Sequence, residues 1–433
     1  MSPETIGATS MLVLLVLILA RFPIAIAMGL VGIVGYAAID GWQKSFAVIG
    51  QVPLELASGY SLSVVPLFAL MGAVAATAGL SSDLFKAANV LFGGMRGSLA
   101  MSAVGASAAF GAVCGSSLAT AATMSRVSIP EMLRAGYHPR LAAGAVAAGG
   151  TLGILIPPSL ILMIYAIIAQ QSVAVLFAAA LLPGIVLTGL YLSAIAVLSL
   201  THRHWMPKLP IGRGRERVAA LVGVWHVAAL FFLTLGGIYL GWFSPTEAAA
   251  VGAGGALLLG TLMRAITFRK IATCFLETVK ISASLFFIIL GSLIFSYFMV
   301  QTKLSVATVD WIRDLGVSQT VLILLITAIY IVLGCFLESI GMILVTVPIF
   351  LPVVVANGID PIWFGVLLVV VVEIGLITPP VGMNLFVLRT QAPEIGLSDV
   401  MRGVAPFLVA PLVLIVLMIV LPGIVLWLPR ALY

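Results

Sequence analysis

Two apolar stretches of this 433-residue chain are interrupted by helix-breaking residues, and the interruptions recur in register. The first stretch, from Gly111 to Ser159, contains the segments GAVCGSS and GILIPPS. Because proline and glycine control backbone geometry, their repetition preserves the positions of the breaks. Paired broken segments of this kind indicate the midplane binding site of a secondary transporter. A shift of 222 positions places Pro130 on Pro352, Gly136 on Gly358, Pro139 on Pro361, Gly153 on Gly375, and Pro157 and Pro158 on Pro379 and Pro380.

The chain is too apolar to bury its side chains in a soluble core, since 62% of its residues are hydrophobic, 8% are charged and the mean hydropathy is +1.25. A membrane-spanning helix needs about 20 apolar residues. The sequence offers roughly a dozen stretches of that order, far longer than the alternating strands of a membrane barrel. We therefore predict an all-α polytopic membrane protein. Its net charge of +6 is typical of cytoplasmic loops and does not indicate nucleic-acid binding.

A basic stretch at 201–217 divides the chain, and its lysines and arginines predict a cytoplasmic loop. The first repeat then covers 1–200 and the second covers 218–433. Each repeat is expected to contain a re-entrant helical hairpin followed by a proline-broken helix. These lie at about 97–133 and 141–169 in the first repeat, and at about 319–356 and 361–389 in the second. Counting spans from the loop predicts inverted repeats, with a periplasmic N-terminus.

Each hairpin tip and the break that follows it form a candidate site, because a helix that unwinds in the membrane frees backbone groups that need a cavity or a ligand. Carbonyl and hydroxyl oxygens suit a hard cation such as Na+, whereas the N-termini of half-helices suit an anion. We expect one cation at each pair and a solute between the tips. The predicted cation-binding residues are Gly115, Ser116, Ser117, Gly153, Pro157, Glu338, Ser339, Gly375, Thr378 and Pro379. The predicted substrate-binding residues are Ser117, Thr120, Pro158, Ser159, Gly382 and Asn384.

Some of these residue types would also suit a purely structural role. Close helix packing alone would account for glycine and serine in a membrane. Glu338 and Glu373 are intramembrane carboxyls, which are costly enough to indicate function, but they would also serve structure by accepting hydrogen bonds from freed backbone amides. The apolar segments show neither a paired acid and base nor a metal-ligand spacing, so we do not expect an enzyme.

Four motifs, GAVCGSSLATAATM, GGTLGILIPPSLILMIYA, GWFSPTEAAAV and EIGLITPPVGMNLFVL, resemble the large membrane subunit of the tripartite ATP-independent periplasmic (TRAP) transporters. The resemblance covers the whole chain. It implies an elevator-type, Na+-coupled importer in the bacterial inner membrane, with two or more Na+ sites and no organic cofactor. Its solute would be a carboxylate such as a C4-dicarboxylate, a sialic acid or a sugar acid. The implied partners, both separate chains, are a small four-helix membrane subunit and a periplasmic substrate-binding protein.

Two alternative functions use a similar architecture. Divalent-anion/Na+ symporters have the same hairpins and work without a binding protein. They usually carry Ser-Asn-Thr at the tips, where this chain has Gly-Ser-Ser and Glu-Ser-Ile. An ion channel using the same carbonyls is less favoured, because the sequence has no repeated filter-like ring.

Overall fold

The computed structural model describes residues 2–209, 214–314, 316–335, 337–379 and 382–433. Within these ranges the chain is helical and contains no strand, as predicted. Part of the predicted loop at 201–217 lies outside the described residues, and so does Pro380, the last of the repeated prolines.

Ten helices precede the basic stretch. They are α1 (Pro3–Leu19), α2 (Ile24–Asp40), α3 (Trp42–Ser58), α4 (Val64–Thr77), α5 (Leu80–Phe92), α6 (Ser98–Cys114), α7 (Ser117–Arg134), α8 (Pro139–Leu155), α9 (Leu160–Ile168) and α10 (Val173–Thr201).

The second half contains the helices α11 to α23. They are α11 (Gly214–Val222), α12 (Trp225–Phe231), α13 (Gly237–Tyr239), α14 (Pro245–Leu262), α15 (Phe268–Thr302), α16 (Leu304–Asp314), α17 (Gln319–Gly334), α18 (Ser339–Ala356), α19 (Pro361–Ile377), α20 (Met383–Gln391), α21 (Leu397–Val404), α22 (Val409–Val420) and α23 (Gly423–Leu432).

The helix boundaries follow the same 222-residue register as the prolines. Helices α7 and α18 begin and end 222 residues apart, and so do α8 and α19. Each predicted hairpin is therefore a pair of helices joined at a short tip, α6–α7 and α17–α18. Each predicted broken helix is also a pair, α8–α9 and α19–α20. The inversion of one half relative to the other in the membrane stays a prediction.

Local sequence explains where α8 and α19 begin. The Nδ1 atom of His138 accepts a hydrogen bond from the Arg140 backbone amide at 3.2 Å, and the Asp360 carboxylate accepts one from the Ile362 amide at 2.7 Å. In both helices the next residue after the cap is proline, whose fixed φ suits the first helical turn. Helix α8 ends before Pro157, which has no backbone amide with which to continue it.

The predicted apolar stretches fall into three classes of helix. Five are long and apolar enough to cross a membrane: Val173–Thr201, Val218–Tyr239, Phe268–Thr302, Ser339–Ala356 and Leu397–Val420. Two bent pairs also qualify, α4 with α5 at 67° and α8 with α9 at 40°. The other apolar helices have 10–17 residues, and several of them end next to glycine.

Glycines bring each hairpin into backbone contact with its broken helix. A Cβ atom on Gly111 of α6 would lie 2.6 Å from the Cα of Gly153 in α8. A Cβ atom on Gly375 of α19 would lie 2.6 Å from the Cα of Gly334 in α17. Small residues permit such crossings in membrane proteins. The two halves also interleave, since α19 packs on α8, α20 on α7 and α18 on α9.

Candidate cation and solute site

The two hairpin tips meet at one cavity of about 50 Å³. The first tip contributes Gly115, Ser116 and Ser117, and the second contributes Glu338 and Ser339. The structure therefore places five of the predicted cation-binding residues around one space, although they come from opposite halves of the chain. The other residues around the cavity are Leu118, Ile154, Leu160, Ile161, Ile340 and Leu376.

The cavity combines features that attract opposite charges. Helix α7 begins at Ser117 and α18 begins at Ser339, so two helix N-termini face it, and their partial positive charge favours an anionic group. The serine oxygens and the Glu338 carboxylate favour a hard cation instead. The arrangement can therefore hold a cation beside the carboxylate of a solute.

The first tip rests on the first break through its backbone. The Leu160 amide donates a hydrogen bond to the Gly115 carbonyl at 3.3 Å. Gly115 has a φ of +67°, and a Cβ atom there would lie 2.5 Å from the Pro158 carbonyl oxygen. This position requires glycine both for its backbone angle and for the close approach. Pro157 and Pro158 form the break behind the tip and are not among the residues lining the cavity.

Two predicted ligand side chains in the first half act as helix caps. The Ser116 hydroxyl oxygen accepts a hydrogen bond from the Ala119 amide at 3.4 Å, and the Ser159 hydroxyl oxygen accepts one from the Leu162 amide at 3.2 Å. Such bonds satisfy amides that the first helical turn leaves free. Capping therefore engages both hydroxyls, and the Ser116 carbonyl, which accepts a hydrogen bond from the Thr120 amide at 3.0 Å, is the second oxygen that this residue presents.

That carbonyl lies beside the hydroxyl of Thr120, directly over Gly153. A Cβ atom on Gly153 would be 2.8 Å from the Ser116 carbonyl oxygen and closer still to the Thr120 hydroxyl. Thr120 is fully buried, and its hydroxyl has no hydrogen-bond partner in the part of the chain that the structure describes. A buried oxygen without a partner is costly unless a ligand satisfies it. The structure thus groups Thr120, predicted to bind solute, with the cation-binding residues.

The second tip differs because its leading side chain is not a cap. Glu338 occupies the N-cap position of α18, yet its side chain makes no capping hydrogen bond. It is half-buried at the cavity, with buried Ser339 next to it. The Glu338 carboxylate is therefore available to a bound cation.

The second break lies behind this tip. The Thr378 hydroxyl donates to the Ile374 carbonyl at 2.6 Å, and the Pro379 carbonyl is 3.9 Å from the sulfur of Cys335. Neither Thr378 nor Pro379 is among the residues that line the cavity. Their oxygens could therefore contact a cation that lies between the second tip and the second break, but not one inside the cavity.

Two predicted substrate-binding residues contact each other across the halves. The Asn384 side-chain amide donates a hydrogen bond of 2.7 Å to the Ser117 hydroxyl oxygen. Asn384 is 0% exposed and Ser117 is 1% exposed. Gly382, with a φ of +51°, starts the turn of chain that brings Asn384 there. The carbonyl oxygen of the Asn384 side chain has no hydrogen-bond partner among the residues described.

The apolar walls of the cavity were not predicted, because polar and helix-breaking residues alone pointed to the site. Their positions in the sequence could have indicated them, since Ile154, Leu160 and Leu376 lie within four residues of a break. Glu373 is fully buried, and its carboxylate makes no hydrogen bond within the described ranges. Among the described residues no group of three or more His, Cys, Asp and Glu side chains could hold a metal ion.

Several known proteins are similar to this chain over nearly its whole length. Residues 11–424 match the family described as "Tripartite ATP-independent periplasmic transporter, DctM component". The C4-dicarboxylate TRAP transporter large permease protein DctM of Pseudomonas aeruginosa is 36% identical over 87% of this chain and 88% of its own. The sialic acid TRAP transporter large permease protein SiaM of Vibrio cholerae is 32% identical over 96% of each chain. The crystal structure of the Alcanivorax borkumensis YdaH transporter, at 17% identity, has the same fold with a TM-score of 0.65 over 98% of each chain.

Proposed function

This chain belongs to the DctM component family of the tripartite ATP-independent periplasmic transporters, and we propose that it imports an organic acid by Na+-coupled secondary transport. Its relatives are membrane permeases and not enzymes. One observation carries the proposal: two hairpin tips from opposite halves enclose a cavity that presents two helix N-termini and a carboxylate.

Na+ is the proposed coupling ion, with one site at each tip and break. The oxygens present suit it, because hard cations prefer carbonyl, hydroxyl and carboxylate ligands. At the first site the ligands would be the Ser116 carbonyl and the hydroxyls of Ser117 and Thr120 beside Gly153. At the second site Glu338 and Ser339 would act with the oxygens near Gly375, Thr378 and Pro379.

The proposed solute is a carboxylate that binds between the tips, where the N-termini of α7 and α18 attract its charge. The C4-dicarboxylate and sialic acid carried by the two relatives are both carboxylates, which supports this class. A cavity of about 50 Å³ has room for ions or a few waters, whereas ligand pockets are typically about 300–1,000 Å³. Solute entry therefore requires the two tips to separate.

We propose an elevator-type movement for this step. In it the two hairpins and two broken helices move as one domain, and the remaining spans form the scaffold. The glycine crossings at Gly153 and Gly375 support a rigid moving domain, because they hold each hairpin against its broken helix. Helices α2 and α15 pack together along their length and suit a scaffold.

The family works with two partners, a small membrane subunit and a substrate-binding protein. For this chain we propose that both are separate and that the complex lies in the bacterial inner membrane. We also propose a periplasmic N-terminus and a cytoplasmic 201–217 loop. The packing of Gly7 against Thr302 at the end of α15 supports this orientation, because the basic residues Arg269 and Lys270 lie at the other end of that helix.

The test is uptake by the reconstituted complex. Proteoliposomes should contain this chain and the small subunit, with the binding protein encoded beside them and the carboxylate that it binds. We expect saturable accumulation that requires an inward Na+ gradient. K+ in place of Na+ and omission of the binding protein are the controls, and each should abolish accumulation.

Two results would replace the proposal. Robust Na+-driven uptake by the isolated chain, without the binding protein, would favour the stand-alone divalent-anion symporter. A non-saturable ionic conductance without solute accumulation would favour the channel.

A further inference from the structure

Two hydrogen bonds join helix α7 of the first hairpin to helix α20 of the second broken helix. One is the 2.7 Å bond from Asn384 to Ser117 at the start of both helices. The other runs from the Arg126 guanidinium to the Gln391 side-chain carbonyl at 2.6 Å. Both helices therefore run in the same direction from the cavity, and the Ser117–Asn384 bond lies at its edge.

The first of these bonds runs from Asn384 to Ser117. The Asn384 side chain donates through its NH2 group, so the Ser117 oxygen is the acceptor. The position of that oxygen, a proposed cation ligand at the first tip, therefore depends on where α20 begins. Ser117 and Asn384 are almost completely buried, and a low local dielectric strengthens a hydrogen bond between them.

The start of α20 depends in turn on the second break. A Cβ atom on Gly382 would lie 3.1 Å from the Thr378 carbonyl oxygen, so the backbone at Thr378 is in contact with the residue that precedes α20. This contact gives a route by which a rearrangement at Thr378 would move Gly382 and then Asn384. The buried carbonyl oxygen of the Asn384 side chain has no hydrogen-bond partner among the described residues, so it is an acceptor that stays free at this contact.

We propose that Asn384 is a positioning residue that couples the two cation sites. When a cation is bound at the second break, Asn384 holds the Ser117 hydroxyl in the position from which it binds the cation of the first site. This inference rests on the proposed Na+ coupling. It makes binding of the two ions cooperative without any contact between them, because each ion favours the same arrangement of Asn384. A packing role alone would stabilise the α7–α20 contact and leave cooperativity unchanged.

The experiment measures transport by the complete complex as a function of Na+ concentration. The wild-type curve should have a Hill coefficient of about two, the limit for two coupled sites. Asn384→Ala should lower it to about one, because the sites then fill independently. Gln391→Ala is the matched control: it removes the other hydrogen bond between the same two helices, away from the cavity, and should keep the wild-type coefficient.

A double-mutant cycle provides a second readout. Ser117→Ala and Asn384→Ala each break the same bond, so the double variant should lose no more cooperativity than the more affected single variant. If Asn384→Ala does not yield folded protein, Asn384→Ser replaces it, because the serine side chain is too short to reach Ser117. Folding is checked by size-exclusion chromatography.

The outcomes separate the coupling from the function on which it rests. A Na+-dependent wild type whose cooperativity survives in Asn384→Ala or Asn384→Ser would overturn the coupling alone. A wild type without any Na+ dependence would overturn the proposed function, and the coupling with it. If Gln391→Ala also loses cooperativity, the effect comes from general packing of α7 on α20, and Asn384 has no specific coupling role.

Discussion

In the first half, the side chains of Ser116 and Ser159 both cap helices, whereas in the second half Glu338 and Gly382 hold the matching N-cap places without a capping hydrogen bond. The backbones of the two regions are otherwise alike, since three of the four helix pairs are equal in length, α6 is one residue longer than α17, and each region has a glycine crossing. The first region therefore offers a cation mostly backbone and hydroxyl oxygens. The second adds a carboxylate at the same cavity.

This difference shows that a repeated backbone need not give repeated chemistry. Ser116 and Ser159, which the sequence suggests as ion ligands, use their hydroxyls to cap helices. The opposite tip has no such capping bond, and its carboxylate is available to a cation. If a cation binds at each tip, the single carboxylate would make the second site the stronger one. The N-terminus of α7 would then be the better place for the negative charge of the proposed solute.

The largest expected effect tests the feature that the two regions share, the glycine crossing. Gly375→Ala would place its Cβ 2.6 Å from the Gly334 Cα, and every nearest atom belongs to the backbone. Overpacking costs about 1–3 kcal/mol even where side chains can adjust, so this variant should give little folded protein. Gly153→Ala should be milder, because one of the atoms it meets is the movable Thr120 hydroxyl. Folded yield by size-exclusion chromatography and thermal unfolding would measure both.

Gly254→Ala is the control for these variants. No heavy atom lies within 4 Å of a Cβ at that helical position, so alanine should be neutral or stabilise the chain by up to about 1 kcal/mol. Thr120→Ala should partly rescue Gly153→Ala. Normal folding of Gly375→Ala would contradict the tight crossing in the second half.

A smaller effect is expected where the two regions differ. Glu338→Gln should raise the Na+ concentration for half-maximal transport on the order of 10- to 100-fold, because an interaction with a charged group contributes about 1.5–3 kcal/mol. Ser116→Ala should change that concentration by less than about two-fold, while it lowers stability by about 1 kcal/mol through loss of the cap. Uptake assays at graded Na+ and thermal unfolding of both variants would measure the two quantities.

Solute binding to the separate periplasmic protein should be unchanged in both variants, which excludes an effect on delivery. An equal shift of the Na+ dependence in Ser116→Ala would mean that the serine hydroxyl binds the ion. The proposed difference between the tips would then be wrong.

The smallest expected effect concerns the caps of the two broken helices, His138 for α8 and Asp360 for α19. Burial, with a contribution from the charge of Arg140, lowers the pKa of His138, and the charge of Asp399 opposes the shift. The folded state therefore resists protonation more than the unfolded chain does. Stability from this residue is fully present above the unfolded pKa of about 6.5 and is lost as pH falls below that value. Protonation of Nδ1 would also remove the acceptor of the cap.

Thermal unfolding between about pH 7.5 and pH 5.5 would measure this effect, in a window around the ordinary histidine pKa. His138→Asn keeps a capping acceptor that does not titrate, so it should lose less stability at acid pH than the wild type. His202→Asn is the matched control, since the His202 ring also packs on Trp205 but its side chain makes no helix-capping hydrogen bond. If His138→Asn and the wild type lose the same stability at acid pH, protonation of the His138 cap does not cause that loss.

Much of the fold was predictable because its signals are local. Helices α8 and α19 begin at a cap followed by proline and are interrupted near the next proline, and these features act through a few neighbouring residues. Repetition at a fixed spacing then predicted the second hairpin from the first. The position of the breaks also indicated the segments in which we predict the site.

Sequence alone determined the helical class, the positions of the helix breaks and the residue types available to a cation or a carboxylate. Tertiary structure decided which oxygens are free. Whether Ser116 caps a helix, whether Asn384 meets Ser117 at 267 residues' separation, and which glycine crosses Gly153 all depend on how two halves pack together. Packing of this kind is set by the fit of many surfaces at once, and no single segment contains that information.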